Sequence, residues 1–173
     1  LYYAGIGSRQ TPNDVLEEMK SIAYQLAVQN WTLRSGFADG ADMAFTEGAD
    51  AANGEMEQYI PWVGFNNSPK KDDRFICLDP DEEQYAIAEY FHPNWKACSP
   101  AAKKLHARNV NQILGRDLDT PSKSKMVICW TPNGKASGGT GQALRIAQYY
   151  DVPVFDLALA ETRDKLNEFL LPF

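Results

Sequence analysis

Met126-Val127-Ile128-Cys129-Trp130 runs directly into Thr131-Pro132-Asn133-Gly134-Lys135-Ala136-Ser137-Gly138-Gly139-Thr140-Gly141, and residues 142–150 follow. The apolar run predicts a buried strand, and the apolar spacing of residues 142–150 predicts an amphipathic helix. Three glycines at positions 138–141 allow positive φ angles and let a ligand approach the backbone closely. The helix that follows offers unpaired N–H groups and the positive end of its dipole. The stretch therefore predicts a phosphate-binding turn, and a turn that merely connects strand and helix is the alternative.

The bulk composition limits the classes of function that the chain can have. Its 173 residues are expected to form one domain, residues 1–173, with 44% hydrophobic and 23% charged residues. A net charge of −6 argues against broad DNA binding, so nucleic acid is not an expected partner. No apolar run reaches the roughly 20 residues that span a bilayer, and no signal peptide is visible, so no membrane association is expected.

The cysteines and histidines predict neither a disulfide framework nor a metal site. Cys77, Cys98 and Cys129 are odd in number and widely spaced, which favours reduced thiols and a cytoplasmic location. His92 and His106 are the two histidines of the chain, and no Cys/His spacing typical of a zinc site surrounds them. We therefore expect no metal and no cofactor.

Predicted strands and helices alternate along the chain. Strands are expected at residues 1–6, 31–35, 57–60, 126–130 and 152–155. Helices are expected from Pro12, capped by Thr11, to about Asn30, and then at 41–52, from a cap at Asp79, from Pro100 to about Gly115, at 142–150 and at 161–169. Residues 63–79 are polar and irregular. This alternation predicts an α/β fold, with a mostly parallel sheet flanked by helices on both faces.

Small, polar and aromatic residues follow four of the predicted strands at their carboxyl ends. Parallel sheets bind ligands at that edge, so these loops are expected to converge on one site. Backbone N–H groups and hydroxyls for a phosphate are predicted from Gly7, Ser8, Gly138, Gly139, Thr140 and Gly141. Arg9 is predicted to add a charge-assisted contact to the same anion, and a solvated surface arginine is the alternative.

The remaining loops offer contacts for a sugar and a base. Ser35, Gly36, Gly40 and Ala41 would let a sugar lie against the backbone. Asp42 would accept hydrogen bonds from ribose hydroxyls, or it would only favour the start of its helix. Trp62 would stack on a base or belong to the core. Neither a Gly-x-Gly-x-x-Gly fingerprint nor a Walker sequence is present.

Three motifs in order resemble the SLOG superfamily of Rossmann-like nucleotide-binding domains. They are Gly5-x-Gly7-Ser8-Arg9-x-Thr11-Pro12, Ser35-Gly36-x-Ala38-x-Gly40-Ala41-Asp42 and Gly138-Gly139-Thr140-Gly141. The superfamily includes the LOG phosphoribohydrolases and the DNA-processing protein DprA, and the chain looks most similar to short stand-alone DprA-like proteins of bacteriophages. The resemblance extends from Gly5 to about Phe155. It implies a Rossmann-like nucleotide-binding fold, Ala38 in the binding site and a homo-oligomer, dimeric or higher.

The chain departs from the LOG pattern where that family carries its catalytic glutamate. LOG enzymes read Pro-Gly-Gly-x-Gly-Thr-x-x-Glu, and this sequence has Ser137 for the proline and Arg145 for the glutamate. The family's catalytic arginine has a likeness in His106-Ala107-Arg108-Asn109, which implies ligand contacts for Arg108 and Asn109. If the chain is an enzyme, Arg108 and Asp42 are the catalytic candidates.

Three functions follow from these patterns. The leading hypothesis is binding, without cleavage, of a small phosphorylated nucleoside, an ADP-ribose type molecule or a cyclic nucleotide. A phage protein of this kind would sequester a nucleotide signal of host defence in the host cytoplasm. The alternative is a nucleotide N-glycosidase related to LOG enzymes, and the third is single-stranded DNA binding in the manner of DprA. The apolar face of the helix from Pro100 is expected to contact either the sheet or a twin subunit.

Overall fold

All strand pairings in the sheet are parallel. The computed structural model describes residues 1–170, and within them six strands form one sheet in the order β4-β3-β2-β1-β5-β6. The strands are β1 Tyr2–Gly5, β2 Thr32–Ser35, β3 Met56–Tyr59, β4 Phe75–Ile76, β5 Val127–Cys129 and β6 Val154–Asp156. The α/β prediction is confirmed, and the sheet is fully parallel rather than mostly so.

Helices cover both faces of this sheet and enclose two apolar cores. They are α1 Asn13–Val28, α2 Ala41–Ala51, α3 Glu82–Tyr90, α4 Pro100–Leu114, α5 Gly138–Tyr149 and α6 Ala160–Leu170. One core joins α1, α2 and α6 to the sheet through buried residues such as Met19, Phe45 and Leu166. The other joins α3, α4 and α5 through Ala88, Val110 and Ile146. The architecture is Rossmann-like.

The direction of chain travel across the sheet reverses at β1. Tyr3 pairs with Leu33 of β2, and the chain continues outward to β3 and β4. It then crosses back through α4 to β5 on the other side of β1, where Ala4 pairs with Val127. The loops after β1 and β5 therefore diverge to opposite faces and leave a crevice between them, which is the usual ligand site of such sheets.

The two helix caps predicted from the sequence differ in the structure. Helix α4 is capped by Ser99, whose Oγ accepts the Ala102 N–H at 3.1 Å. The cap of α3 is Asp81 rather than Asp79, and its Oδ1 accepts the Gln84 N–H at 2.8 Å. Thr11 does not cap α1, since its hydroxyl instead donates to the Ser8 carbonyl at 2.6 Å and tightens the loop after β1.

Two elements lie where the sequence did not place them. Strand β4 lies inside the stretch expected to be irregular. It is short, since only Phe75 and Ile76 pair with Gln58 and Tyr59 of β3. Helix α5 begins at Gly138 rather than Gln142, so the glycines form its first turn instead of a loop before it.

The apolar face of α4 is used within the chain. Ala107, Val110, Ile113 and Leu114 are buried against the sheet and against neighbouring helices. This resolves the two options predicted for that face in favour of the sheet. Over residues 1–170, no helix is both long and apolar enough to cross a membrane.

Candidate functional site

A cleft of about 390 Å³ opens at the carboxyl ends of β1 and β5, at the point where the strand order reverses. Its volume lies within the range of about 300–1,000 Å³ that is usual for small-molecule sites. Its walls are the loop after β1, the start of α2, one face of α4 and the first turn of α5. The lining residues are Ile6, Gly7, Ser8, Arg9, Gln10, Ala38, Asp42, Ala102, Leu105, His106, Arg108, Asn109, Gln112, Pro132, Ser137, Gly138, Gly139, Thr140 and Ala143.

The cleft brings together most of the residues that the sequence singled out. Those that line it are Gly7, Ser8, Arg9, Ala38, Asp42, Arg108, Asn109, Gly138, Gly139 and Thr140. Those outside its lining are Ser35, Gly36, Gly40, Ala41, Trp62 and Gly141. Ser35 is fully buried, and its hydroxyl donates to the Gly5 carbonyl at 2.6 Å. Trp62 packs edge-on against Phe65, with ring centroids 5.5 Å apart.

The glycines outside the lining allow neighbouring groups to pack closely. A Cβ on Gly36 would lie 1.8 Å from Nη1 of Arg108, so this position must lack a side chain for the arginine to fit. Gly40 has a φ of 84°, and a Cβ there would lie 2.8 Å from the Cα of Arg9. A Cβ on Gly141 would meet the Ala136 backbone carbonyl carbon at 2.9 Å. These residues shape the cleft from behind instead of lining it.

Arg108 is a buried cation held by backbone carbonyls. Its Nη1 donates to Gly36 and, at 3.1 Å, to Tyr59, while its Nε donates to Leu105 at 3.2 Å. Burial lowers the pKa of its guanidinium, and the Asp42 carboxylate acts in the opposite direction. The Phe65 ring lies 5.5 Å from its Cζ. The group is therefore fixed in position, with a positive charge at the floor of the cleft.

Asp42 is the acidic partner in this part of the cleft. Burial raises the pKa of its carboxyl to about 6, although Arg108, the N–H groups of Ala38 and Gly36, and Arg9 all act to lower it. The Ala38 N–H donates to its Oδ2 at 3.3 Å. A carboxyl that titrates this close to neutral pH can accept a hydrogen bond from a hydroxyl group or exchange a proton under ordinary conditions.

A polar network connects α4 to α5 at the other wall. Gln142 is fully buried, and its Nε2 donates to the Ala88 carbonyl at 2.8 Å. Its Oε1 consequently faces Nδ2 of Asn109 and Nδ1 of His106, both at 3.1 Å. Asn109 also donates to the Gly139 carbonyl at 3.4 Å. Gln142 thus fixes the position of two lining residues relative to the first turn of α5.

Several lining residues were absent from the sequence prediction. Ala102, Leu105, His106 and Gln112 share one face of α4 with the predicted Asn109, at helical spacing. Extending that spacing from Arg108 and Asn109 would have located this wall. Ile6, Gln10, Pro132, Ser137 and Ala143 also line the cleft, and they adjoin predicted residues in sequence.

Arg145 does not take the place of a catalytic side chain. It is absent from the cleft lining, and its Nε donates to the Phe91 carbonyl beyond the end of α3 at 2.8 Å. Among the cleft-lining residues of the described part of the chain, Asp42 is the one that carries a carboxyl group.

A second group of chemically active side chains adjoins the cleft. One ligand atom each from His92, Cys98 and His106 lies within 4.8 Å of the other two. This group was not expected from the sequence, because the spacing of its residues matches no common zinc motif. The α3–α4 connection nevertheless folds back and brings the three side chains together.

Comparisons with known proteins agree with this architecture. No protein-family model and no curated protein sequence matches the chain. A structure of DNA processing protein A from Helicobacter pylori, described for its single-stranded DNA binding mode, is 21% identical with a TM-score of 0.58, covering 97% of this chain and 72% of that one. The Chlamydomonas rheinhardtii Moco carrier protein is 15% identical with a TM-score of 0.56, covering 97% and 82%. The chain therefore shares the Rossmann-like fold of these ligand-binding and DNA-binding proteins.

Proposed function

We propose that the chain is a single SLOG-type domain that binds a small phosphorylated nucleoside in the cleft and holds it without cleaving it. The observation that carries this proposal is the composition of the cleft at the strand-order reversal. A helix start and an exposed arginine lie on one side, and a buried arginine and carboxyl pair lies on the other. Nucleoside monophosphates, ADP-ribose type molecules and cyclic nucleotides combine the anionic and hydroxyl groups that these features match.

The phosphate end is assigned to the first turn of α5 and the loop after β1. Gly138 and Gly139 are exposed there, so their backbone N–H groups are open to an anion. Arg9 is exposed on the facing loop, and its guanidinium can form two parallel hydrogen bonds to phosphate oxygens. Ser8 offers a hydroxyl beside it, although its Oγ also accepts the Gln10 N–H at 3.0 Å.

The sugar end is assigned to Asp42 and Asn109. The Asp42 carboxylate can accept hydrogen bonds from ribose hydroxyls, and Asn109 lies on the facing wall. Trp62 lies outside the lining, so the base is assigned instead to the α4 wall, where Ala102, Leu105 and His106 offer an apolar surface and one ring.

Binding without cleavage is favoured because the described lining of the cleft offers one carboxyl group instead of two. Glycosidic bond hydrolysis usually employs two carboxyl groups, one as acid and one as base or nucleophile. Asp42 supplies one such group. Arg145 lies where LOG enzymes carry the glutamate, and its Nε donates a hydrogen bond to the Phe91 carbonyl.

A ligand panel with one arginine variant tests the proposal. We expect nucleoside monophosphates, ADP-ribose or a cyclic nucleotide to raise the Tm and to bind in calorimetry. Arg9→Ala should weaken the phosphorylated ligand about 10- to 100-fold, since hydrogen bonds to charged groups contribute about 1.5–3 kcal/mol. Arg116→Ala is the matched control, because Arg116 is exposed in a separate pocket at the amino ends of the strands. If no nucleotide stabilises the wild-type protein, the proposal is wrong.

An N-glycosidase is the second candidate, and the Asp42 carboxyl with its pKa of about 6 is the observation that favours it. Incubation with nucleoside monophosphates and NAD-derived substrates, followed by chromatography of the released base, separates the two functions. Recovery of intact ligand supports holding. Base release that is lost in both Asp42→Asn and Arg108→Lys would establish the enzyme instead.

Single-stranded DNA binding is the third possibility. The reason to test it is the structural similarity to DNA processing protein A. The net charge of −6 disfavours it, because DNA affinity grows with the number of phosphates neutralised by Lys and Arg. We expect no mobility shift at low salt. A shift that disappears steeply with added salt would contradict this expectation.

The most specific part of the proposal is the biological setting. A phage protein of this kind, in the host cytoplasm, would sequester a nucleotide signal of host defence. Mass spectrometry of small molecules released from protein purified out of infected cells would identify that signal. Recovery of the same nucleotide from uninfected cells alone would argue against a role in infection.

A further inference from the structure

The connection between α3 and α4 carries three metal-ligating side chains on a short piece of chain. His92 follows the end of α3, Cys98 precedes the Ser99 cap of α4, and His106 lies in the second turn of that helix. All three are partly exposed, so an ion can reach them from solvent. Phe91 and Trp95, on either side of His92, pack against the core and anchor the connection.

The spacing of the group fits tetrahedral coordination. With bond lengths of about 2.3 Å to sulfur and 2.0–2.1 Å to nitrogen, a tetrahedral zinc ion places these two ligand atoms about 3.6 Å apart. The Sγ of Cys98 lies 3.7 Å from Nε2 of His92. The ring centroids of His92 and His106 are 4.3 Å apart, and the three ligand atoms lie within 4.8 Å of one another. A shift of about 1 Å in one side chain would complete the arrangement.

The tautomer of His106 suits a metal ligand. The Nε2 of Gln142 donates to the Ala88 carbonyl, so the amide oxygen of Gln142 is the atom that faces Nδ1 of His106 at 3.1 Å. Nδ1 must therefore carry the proton, which leaves the lone pair on Nε2. An outer partner that fixes the ring and its tautomer in this way is usual for metal-bound histidines.

Metal binding would change the tautomer of the His92 ring and deprotonate the Cys98 thiol. Nδ1 of His92 accepts the Asn94 N–H at 3.0 Å, so in the metal-free protein the ring proton is on Nε2 and faces the sulfur. Binding through Nε2 moves this proton to Nδ1 at the cost of the Asn94 hydrogen bond. The thiol releases its own proton to solvent, so a net one proton leaves for each ion bound.

Two nearby arginines oppose the binding of a cation, so a negatively charged ligand is needed in the site. The positive charges of Arg108 and Arg145 both act on His106. The same two cations oppose a divalent ion, and the negative sulfur of Cys98 offsets them. Zinc accepts both imidazole and thiolate ligands, so these three side chains suit it and leave a fourth position for water or a bound ligand.

We propose that His92, Cys98 and His106 form a zinc-binding site beside the cleft. His106 belongs both to this group and to the cleft lining, so the ion would lie at the cleft edge. The site shares His106 with the wall to which the base is assigned, but zinc binding is measured without a nucleotide, so the two proposals are tested separately.

Cobalt substitution and zinc titration test the site directly. We expect the purified chain to bind about one equivalent of Zn²⁺ with a Kd below about 1 μM in competition with a chromophoric chelator. The Co²⁺ form should show the visible bands of a tetrahedral ion and a thiolate charge-transfer band. Loss of a group that only orients a ligand costs about 10- to 100-fold in affinity, so Cys98→Ser and His92→Gln should each cost more than about 100-fold.

Cys77→Ser is the matched control, because Cys77 is an exposed free thiol outside the group. It should leave the zinc affinity and the Co²⁺ spectrum unchanged. Equal zinc affinity in wild type and Cys98→Ser, or a Co²⁺ spectrum without the charge-transfer band, would overturn the proposal. Far-UV circular dichroism of each variant separates loss of ligation from loss of fold.

Discussion

Gly36 determines whether Arg108 can lie in the floor of the cleft. A Cβ at this position would lie 1.8 Å from Nη1 of Arg108 and 2.4 Å from Nε2 of Gln112. The arginine cannot move away freely, because its Nη1 donates to the Gly36 and Tyr59 carbonyls.

We expect Gly36→Ala to lower the free energy of unfolding by about 1–3 kcal/mol, the usual cost of overpacking. It should also weaken ligand binding, since the buried cation is displaced. Urea denaturation measures the first effect and calorimetry the second. Gly139→Ala is the control for the stability measurement, because its added Cβ would meet only Asn109 at 3.7 Å. Equal losses of stability in the two variants would contradict this steric account.

The Asp42 carboxyl gives the stability of the protein a dependence on pH. Its pKa is about 6 in the folded chain and about 4 in an unfolded one. Below pH 4 the group is protonated in both states and has no net effect. Between pH 4 and 6 the unfolded chain releases the proton first, so the free energy of unfolding falls as pH rises.

We expect this loss to reach about 3 kcal/mol above pH 6, from a shift of about two pKa units. Urea denaturation of wild type and Asp42→Asn from pH 4 to 7 isolates it, because titrations elsewhere cancel in the difference. The difference between the two proteins should change across that window and stay constant above it. A constant difference over the whole range would show that Asp42 is not buried as described.

The residue types at the cleft were predictable where a motif marked them, and less so elsewhere. Gly7, Ser8 and Arg9 lie in the loop after β1, and Asp42 lies in the first turn of the helix after β2; alternating strands and helices place such residues at one edge. The roles of Gly36 and Gly40 were not predictable, because a glycine that packs against a side chain and one that lines a ligand look alike in sequence. Gln142 was missed because its effect depends on partners distant in the chain, such as Ala88.

At the level of elements, the proposed anion site lies at the start of α5. Gly138 has a φ of 59° at the first position of the helix, and no atom would contact a Cβ placed there. The constraint on this position therefore comes from the backbone alone.

We expect Gly138→Ala to cost about 1–2 kcal/mol in the free energy of unfolding, since a left-handed conformation is unfavourable for alanine. Gly138→Asn should cost less, because asparagine tolerates that conformation. Urea denaturation of the two variants under the same conditions measures the difference. Identical stabilities would mean that the backbone at Gly138 does not adopt a positive φ.

The start of α5 and strand β4 differ from the sequence predictions because both depend on tertiary contacts. The helix pattern of residues 142–150 was clear, but the turn before it was expected to be a loop because glycine disfavours helices. The position of that turn at the sheet edge, rather than its propensity, determines its conformation. Strand β4 was missed because Phe75 and Ile76 lie in a polar stretch and pair only with the already formed edge of β3.

At the scale of the whole molecule, the predicted homo-oligomer needs a surface other than α4. Its apolar positions are buried within the chain. Tyr90 and Tyr149 are 75% and 63% exposed, and their rings lie 6.2 Å apart in an aromatic surface between α3 and α5.

We expect the protein to sediment as a dimer or larger species at micromolar concentration. Tyr149→Glu should shift it toward monomer, because a charge would have to be desolvated at the contact. Tyr24→Glu is the control, since Tyr24 is an exposed tyrosine at 47% on α1. A wild-type monomer throughout the concentration range would remove the prediction.

The pairing of β1 with β5 also determines when the cleft can exist during synthesis. Ala4 of β1 can pair with Val127 of β5 only after Val127 has been synthesised. Most of the chain has therefore been made before the two walls of the cleft can come together. Strands β1 to β3 have neighbours close in sequence and can associate earlier, while closing the β1–β5 loop has a larger entropic cost and slows the last step. A nascent chain that ends before α5 therefore has no binding site, and any ligand acts only on the finished fold, where it stabilises the closed sheet.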